Sequence, residues 1–182
     1  MRVLTVALIV ALGVLARPRP ALAAGDAGAV HSGLDRQLQV RPPRVETDVV
    51  IDGVLDEPVW TDAARLTGFS RYAPVDGGAA DRATEVLVWY SPTAIHFGVR
   101  ATAGPDGVQA TLADRDRIVA DDHVQFFLST FADGRQAFVF AVNPLGVQMD
   151  GSLVEGLRGG GGFGGLAVGR EDVDRSPDFV FQ

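Results

Sequence analysis

The chain has 182 residues, of which 47% are hydrophobic, and it contains ten Phe and two Trp. That length suits one globular domain with flanking segments, and that apolar content excludes a wholly disordered chain. The formal net charge of −7 disfavours nucleic acid as a partner, because an acidic chain repels phosphate backbones. Without Cys the chain has no disulfides and no thiolate metal ligands, so its core must supply the stability.

The first residues are typical of a signal peptide, predicted over 1–23. An unbroken apolar run over residues 3–16 is too short to span a bilayer of about 30 Å, and small residues at Ala21-x-Ala23 suit a signal peptidase. The alternative is an uncleaved anchor or a buried helix. Cleavage predicts export to the periplasm or outer membrane, and it leaves 13 of the 16 basic residues against 23 acidic ones, a net charge of −10.

Residues 24–44 mix Gly, Pro and charge without periodicity, which predicts a leader or linker ahead of the domain. The domain itself is predicted over 45–182. Its first nine residues, VETDVVIDG, predict a strand that closes in an Asp52-Gly53 turn, since Gly accepts positive φ.

A short helix is predicted next, over 57–66. Asp56 would cap its exposed amides and Pro58 would fit its first turn, while Leu55 and Trp60 would flank the cap as a hydrophobic staple. This interpretation gives those residues a structural role. A catalytic or ligand-stacking role for Asp56, Glu57 and Trp60 is the alternative.

From residue 69 onward, short alternating segments with turn signals predict strands. The segments are 83–90 and 94–103 around Ser91-Pro92-Thr93, then 123–130 and 136–143 around Asp133-Gly134, and last 147–154 after the Asn143–Gly146 turn. Their number and spacing predict an all-β fold, an immunoglobulin-like β-sandwich with one short N-terminal helix.

Two features interrupt that pattern. The glycine-rich stretch over 158–165 predicts a flexible loop, because Gly offers no side chain to bury and it lacks the Lys-Ser/Thr of a phosphate-binding loop. The last residues, Phe179-Val180-Phe181, predict a strand that has only begun. We therefore expect the C-terminal strands of the sandwich to be missing from this sequence.

Four segments, VVIDGVLDEPVW, EVLVWYSPTAIHFGVRA, DDHVQFFLS and FVFAVNPLGVQMDG, resemble the carbohydrate-binding module family 9 domain. The resemblance runs from about Val45 to Gln182. Its later part is similar to the version that opens bacterial envelope proteins with a barrel-like C-terminal domain. The resemblance implies a polysaccharide or oligosaccharide as partner, and the downstream barrel-like domain of the same protein as another.

The resemblance implies the site of the family's sugar binders, in which two tryptophans clamp a terminal sugar unit and a glutamate and an arginine bond its hydroxyls. The first tryptophan falls at Val119, the glutamate at Gln125 and the arginine near Ala141, while an asparagine beside it corresponds to Asn143. The second tryptophan lies beyond the sequence. The resemblance therefore implies a weakened carbohydrate site that includes Gln125 and Asn143. Some members of the family also hold calcium, but no segment of this sequence can be identified as its site. No other cofactor is expected.

Trp89 is a further candidate for stacking on a sugar, because it alternates with Val88 and Tyr90 along one predicted strand. Core packing is the alternative, since large aromatic residues are mostly buried.

Residues that could carry catalysis are scattered. Asp121 and Asp122 are neighbours on an extended chain, so they point to opposite faces and predict a turn that leads into a strand. The run Asp114-Arg115-Asp116-Arg117 predicts a solvated charged loop. The three His are too far apart for a zinc motif, and no Ser lies in a nucleophile elbow.

The leading hypothesis is a noncatalytic carbohydrate-binding or glycan-docking domain of an exported envelope protein, linked to carbohydrate catabolism. One alternative is a structural or interaction domain of an outer-membrane barrel-like protein that has lost sugar binding. The other is the N-terminal part of a glycoside hydrolase whose catalytic residues lie downstream. We expect no catalytic activity in this chain itself.

Overall fold

The computed structural model describes residues 25–71, 77–130, 135–154 and 173–181. These residues form one helix and ten strands in an all-β, sandwich-like fold, which confirms the fold class predicted from the sequence. The predicted signal peptide, the Asp133-Gly134 turn and the glycine-rich stretch at 158–165 lie outside the described residues. The elements are β1 (Val30–Ser32), α1 (Val59–Asp62), β2 (Ala64–Thr67), β3 (Ser70–Arg71), β4 (Gly78–Ala79), β5 (Thr84–Tyr90), β6 (Ile95–Ala101), β7 (Val124–Leu128), β8 (Gln136–Val142), β9 (Gln148–Val154) and β10 (Val173–Asp174).

The chain divides into two compact units, Met1–Arg100 and Ala101–Gln182, where the sequence predicts one domain beginning at Val45. In the first unit a four-stranded sheet has the order β1-β2-β5-β6, and β3 pairs with β4 in a small ribbon. In the second unit the order is β10-β9-β8-β7. With four residues, α1 is far too short to cross a bilayer, and the described part of the chain contains no helix that could.

The stretch predicted as a leader contributes β1, which pairs in parallel with β2, with Val30 opposite Arg65 and Ser32 opposite Thr67. Gly28 makes the preceding turn at a φ of 64°. The prediction of a linker is therefore wrong for this part of the chain. β1 is held in the sheet by backbone hydrogen bonds, and the side-chain pattern on which the prediction depends does not indicate such bonds.

The predicted first strand is also absent, since residues 45–53 form no strand in the structure. Val45 instead donates its amide to the Tyr90 carbonyl at 2.9 Å. The predicted turn is present, with Gly53 at a φ of 83° and the Asp52 carboxylate accepting the Val54 amide at 2.8 Å. Val49 packs against the core of the first unit, whereas Val50 and Ile51 are exposed.

The helix is shorter than predicted and is capped differently. It begins after Pro58, without a side-chain cap, so the prediction of Asp56 as cap is wrong. The Glu57 carboxylate instead joins the start of the helix to the preceding loop. It accepts hydrogen bonds from the indole N–H of Trp60 at 2.8 Å and from the Val50 amide at 3.0 Å. Residues 64–66, predicted as the end of the helix, belong to β2, because pairing with β5 outweighs their helix propensity.

The predicted hairpins are confirmed. Strands β5 and β6 neighbour each other around a turn in which the Ser91 amide donates to the Ala94 carbonyl at 2.8 Å. Strands β7, β8 and β9 pair antiparallel in sequence order. The turn between β8 and β9 closes through Gly146, whose amide donates to the Asn143 carbonyl at 2.9 Å and whose φ is 80°.

Each unit has its own small core. Trp60, Leu87 and Trp89 form the centre of the first, together with Val59 and Ala63. Ile118, Ala141 and Met149 form the second, with Val147 packed against them. On β8 the buried residues Val139 and Ala141 alternate, as on a half-buried strand, whereas the four consecutive residues 86–89 of β5 are all buried.

Candidate functional site

Trp89 lies in the core of the first unit and is fully buried. Its ring stacks on the His96 ring at 3.8 Å between centroids, with 8° between the planes, and meets Trp60 edge-on at 6.0 Å. Burial lowers the pKa of His96, which favours the neutral imidazole in this stack. The assignment of Trp89 to a carbohydrate site is therefore wrong, since a ring without exposed area cannot stack on a sugar.

Asn143 is buried at the end of β8, and its amide group is fully used within the protein. Its nitrogen donates to the Thr111 carbonyl and to the Asp121 carboxylate, both at 2.9 Å. Its oxygen accepts the amides of Leu145 at 3.0 Å and Val147 at 2.9 Å. Asn143 thus holds the β8–β9 turn against the loop before β7, and the structure corrects its assignment as a sugar-binding residue.

Asp121 and Asp122 hold the same loop through separate contacts. The Asp121 carboxylate accepts the Thr111 amide at 3.0 Å, and this bond, followed by the one from Asn143, lowers the pKa of Asp121. The Asp122 carboxylate accepts the Gln109 amide at 2.9 Å. The prediction of a turn leading into a strand is confirmed, and the two carboxylates do not face one shared position.

Of the three residues assigned to the carbohydrate site, Gln125 is the one that is not fully buried. It is half-buried on β7, an edge strand of the second sheet, opposite Ala141 on β8. Phe127 follows two residues later on the same strand face and is 39% exposed. Sequence reasoning missed Phe127, although the alternation along VQFFL could have shown that it shares a face with Gln125.

Val119, where the resemblance places the first clamp tryptophan, lies in the loop before β7 and is 52% exposed. Val119, Gln125 and Phe127 all belong to the second unit, whereas Trp89 belongs to the first.

The densest group of polar contacts in the second unit surrounds Arg115 and Asp150. The Arg115 side chain, 36% exposed, donates through Nε to the Asp150 carboxylate at 3.0 Å and makes a second, shorter bond to it through Nη2. Its Nη1 donates to the Gln148 side chain at 3.0 Å. The hydrogen bonds to Asp150 raise the pKa of Arg115, so the guanidinium stays charged.

The sequence predicts Arg115 in a solvated charged loop, and that prediction is wrong for this residue. Its neighbour Asp116 adopts a φ of 68° and accepts the Asp150 amide at 3.1 Å. The loop is therefore fastened to β9 by both residues. The partner, Asp150, lies 35 residues away in the sequence, so no local charge pattern could have revealed the pair.

Residues 178–181, which we call the 178–181 segment, lie against this group. The sequence predicts a strand at Phe179-Val180-Phe181, but the structure has no strand there. Phe179 donates its amide to Asp150 at 2.5 Å and accepts from Arg115 at 2.6 Å through its carbonyl. Side-chain contacts therefore replace the strand pairing that the sequence predicts.

Metal binding has no located site in the described ranges. Among residues 25–71, 77–130, 135–154 and 173–181, no three His, Asp or Glu side chains come together as metal ligands would. The calcium ion implied by the family resemblance remains unlocated.

Comparison with known proteins gives no relative from which a function could be transferred. No protein-family model matches the chain, and neither a curated protein nor a solved structure matches it.

Proposed function

We propose that the chain is a noncatalytic carbohydrate-binding or glycan-docking domain of an exported protein, with a polysaccharide or oligosaccharide as its partner. The observation that carries the proposal is the pair Gln125 and Phe127. An amide that can bond a hydroxyl and an accessible aromatic ring share one face of an edge strand. Those two groups are the chemistry with which a protein holds a sugar ring, by hydrogen bonds and by apolar contact.

Hydrogen bonds to three carboxylates favour a noncatalytic role for this chain itself, whereas the hydrolase alternative places its catalytic residues downstream. Hydrogen bonds lower the pKa of three carboxyl groups, Glu57, Asp121 and Asp174. The main donor is the Val50 amide for Glu57 and the Thr111 amide for Asp121. A glycoside hydrolase needs a general acid whose pKa is raised. The carboxyl groups whose pKa is lowered are deprotonated at neutral pH. They can therefore accept hydrogen bonds, but they have no proton to donate as a general acid.

A gain-of-function test follows from Val119. The Val119→Trp variant places an aromatic ring at an accessible position where the resemblance puts the first clamp tryptophan. We expect sugar affinity to rise by about tenfold, since an aromatic contact contributes about 0.5–1.5 kcal/mol. Isothermal titration calorimetry against mono- and oligosaccharides measures the change.

The matched control is Leu112→Trp, which adds the same side chain at an exposed position elsewhere in the second unit. Gln125→Ala and Phe127→Ala should each weaken binding, with thermal unfolding monitored to confirm that the variants are folded. Equal affinity in the Val119 and Leu112 variants, together with unchanged affinity in both alanine variants, would show that no sugar binds here.

The interaction-domain alternative is favoured by a different observation, the contacts of the 178–181 segment. Arg115, Gln148 and Asp150 direct their polar atoms at the backbone of this segment. That arrangement is typical of peptide recognition and requires no sugar.

A further inference from the structure

One face of β8 and β9 holds a short stretch of the chain as a peptide is held. Phe138 and Phe140 lie two residues apart on β8, and Phe140 is directly opposite Asp150 on β9. Gln148 shares this face because it is two residues from Asp150. We call these four residues, with Arg115, the β8–β9 face.

The aromatic contacts on this face have a period of two residues. Phe179 meets Phe138 at 5.3 Å between ring centroids and Phe140 at 5.8 Å, and Phe181 meets Phe140 at 5.2 Å. Val180, between them, is 97% exposed. The β8–β9 face therefore contacts alternate side chains and leaves the intervening one in solvent, as sheets do with bound extended peptides.

The polar contacts recognise backbone atoms at the same two positions. The Asp150 carboxylate accepts the Phe179 amide at 2.5 Å, and Arg115 donates to the Phe179 carbonyl at 2.6 Å. Gln148 donates through Nε2 to the Phe181 carbonyl at 3.0 Å. Backbone bonds of this kind fix the direction and register of a peptide whatever its intervening residue is.

An acidic residue before the first aromatic is also contacted, since Arg115 lies 3.2 Å from the Asp178 carboxylate. The guanidinium is held in place by Asp150 and Gln148, both on β9. A site built in this way on strands keeps its donors and acceptors in position when its occupant leaves. Its specificity is for an acidic residue followed by two aromatic residues that are separated by one intervening residue.

We propose that the β8–β9 face is a recognition site for extended peptides of the form Asp-aromatic-x-aromatic. The 178–181 segment is its internal occupant, and a partner's segment of the same chemistry displaces it. This proposal does not depend on sugar binding, because it uses neither Gln125 nor Phe127.

The test titrates synthetic peptides into the isotope-labelled 182-residue chain and follows backbone and side-chain amide signals by NMR. The double variant Phe179→Ala/Phe181→Ala removes the internal aromatic rings. We expect this variant to bind the peptide SPDFVFQ at least about tenfold more tightly than the wild-type chain does. In the wild-type chain the 178–181 segment competes for the site, and the apparent affinity falls in proportion to the fraction of sites that are open. Signals of Gln148 and Asp150 should shift.

Two control peptides define the specificity. SPDFKFQ changes only the residue equivalent to exposed Val180 and should bind as SPDFVFQ does, whereas SPDAVAQ should not bind. Equal binding of SPDFVFQ and SPDAVAQ, or no binding of either to the folded double variant, would overturn the proposal.

A second measurement serves if the double variant does not fold. In the wild-type chain, saturating SPDFVFQ should displace the 178–181 segment and speed hydrogen exchange at the Phe179 amide by at least about threefold, as expected when a protected group is open for most of the time. Exchange that is unchanged at the highest peptide concentration would contradict displacement and overturn the proposal.

Discussion

At the scale of single residues, Asn143 shows how one amide can join two loops. Its four hydrogen bonds connect the β8–β9 turn to Thr111 and Asp121 in the loop before β7. Amides are well suited to this, because each supplies two donor hydrogens and an acceptor oxygen with two lone pairs. The same capacity makes an asparagine in a sequence equally consistent with a ligand site.

The Asn143→Ala variant separates these two roles. It removes four hydrogen bonds made by a buried side chain, so we expect the free energy of unfolding to fall by about 2–4 kcal/mol. Urea unfolding measures the loss. The control Leu145→Ala, at an exposed turn position, should change it by less than about 0.5 kcal/mol. A stable variant that has lost sugar affinity would restore Asn143 as a binding residue.

The pKa of Asp121 predicts a dependence of stability on pH. Because this pKa is lower in the folded chain than its ordinary value of 3.8, Asp121 stabilises the fold above pH 3.8. That contribution is lost as the pH falls through the lowered pKa. The difference in unfolding free energy between wild type and Asp121→Asn should therefore be present at pH 6 and shrink below about pH 4.

Denaturant unfolding over a series of pH values measures this difference, with Asp114→Asn at an exposed loop position as control. The control should show no comparable change over the same range. A difference between wild type and Asp121→Asn that stayed constant from pH 6 to pH 3 would contradict the assignment.

At the scale of elements, β10 depends on the absence of a side chain at Gly151. A Cβ there would lie 2.5 Å from the Asp174 carbonyl oxygen and 2.7 Å from a methyl group of Val173. We expect Gly151→Ala to release β10 from β9, because the nearest atom belongs to the backbone and cannot rotate away. Faster hydrogen exchange at residues 173 and 174 is the measurement.

The control for this variant is Ser152→Ala, the next position on β9, whose side chain points to the opposite face. It should leave exchange at 173 and 174 nearly unchanged. Equal protection of β10 in wild type and Gly151→Ala would show that β9 tolerates the side chain and that β10 is held by other contacts.

How far the sequence predicts these elements depends on where their partners lie. Strands β5 to β9 are short segments rich in β-branched and aromatic residues with turn residues between them, so the local pattern is sufficient to predict them. β1 and β2 carry little alternation and exist because each finds a neighbour along its backbone. The end of the helix is wrongly predicted for that reason, since residues 64–66 have helical propensity but pair with β5.

The candidate site shows the same division. Gln125 was placed on a strand correctly, because its neighbours alternate. Trp89 is a candidate by residue type and Asn143 by the family resemblance, and burial and partners far away in the sequence decide the roles of both. The link between Arg115 and Asp150 spans 35 residues, which no local pattern records.

At the scale of the whole molecule, charge disfavours a polyanionic partner and the fold offers surfaces for smaller ligands. The formal net charge of −7 repels nucleic acid, and the all-β fold offers strand faces and edges as binding surfaces. A sugar on Gln125 and Phe127 and a peptide on the β8–β9 face use different residues of the second unit. The two activities can therefore be tested independently.

The most direct test of the glycan proposal is an NMR titration of the wild-type chain with a panel of oligosaccharides, combined with analysis of the solution for cleavage products. We expect saturable shifts of the Gln125 side-chain amide and the Phe127 ring, a dissociation constant of about 1 mM, equivalent to about −4 kcal/mol, and no released product. Gln125 and Phe127 signals that stay unchanged at about 50 mM sugar, more than an order of magnitude above that constant, or any product of glycan cleavage, would contradict the proposal.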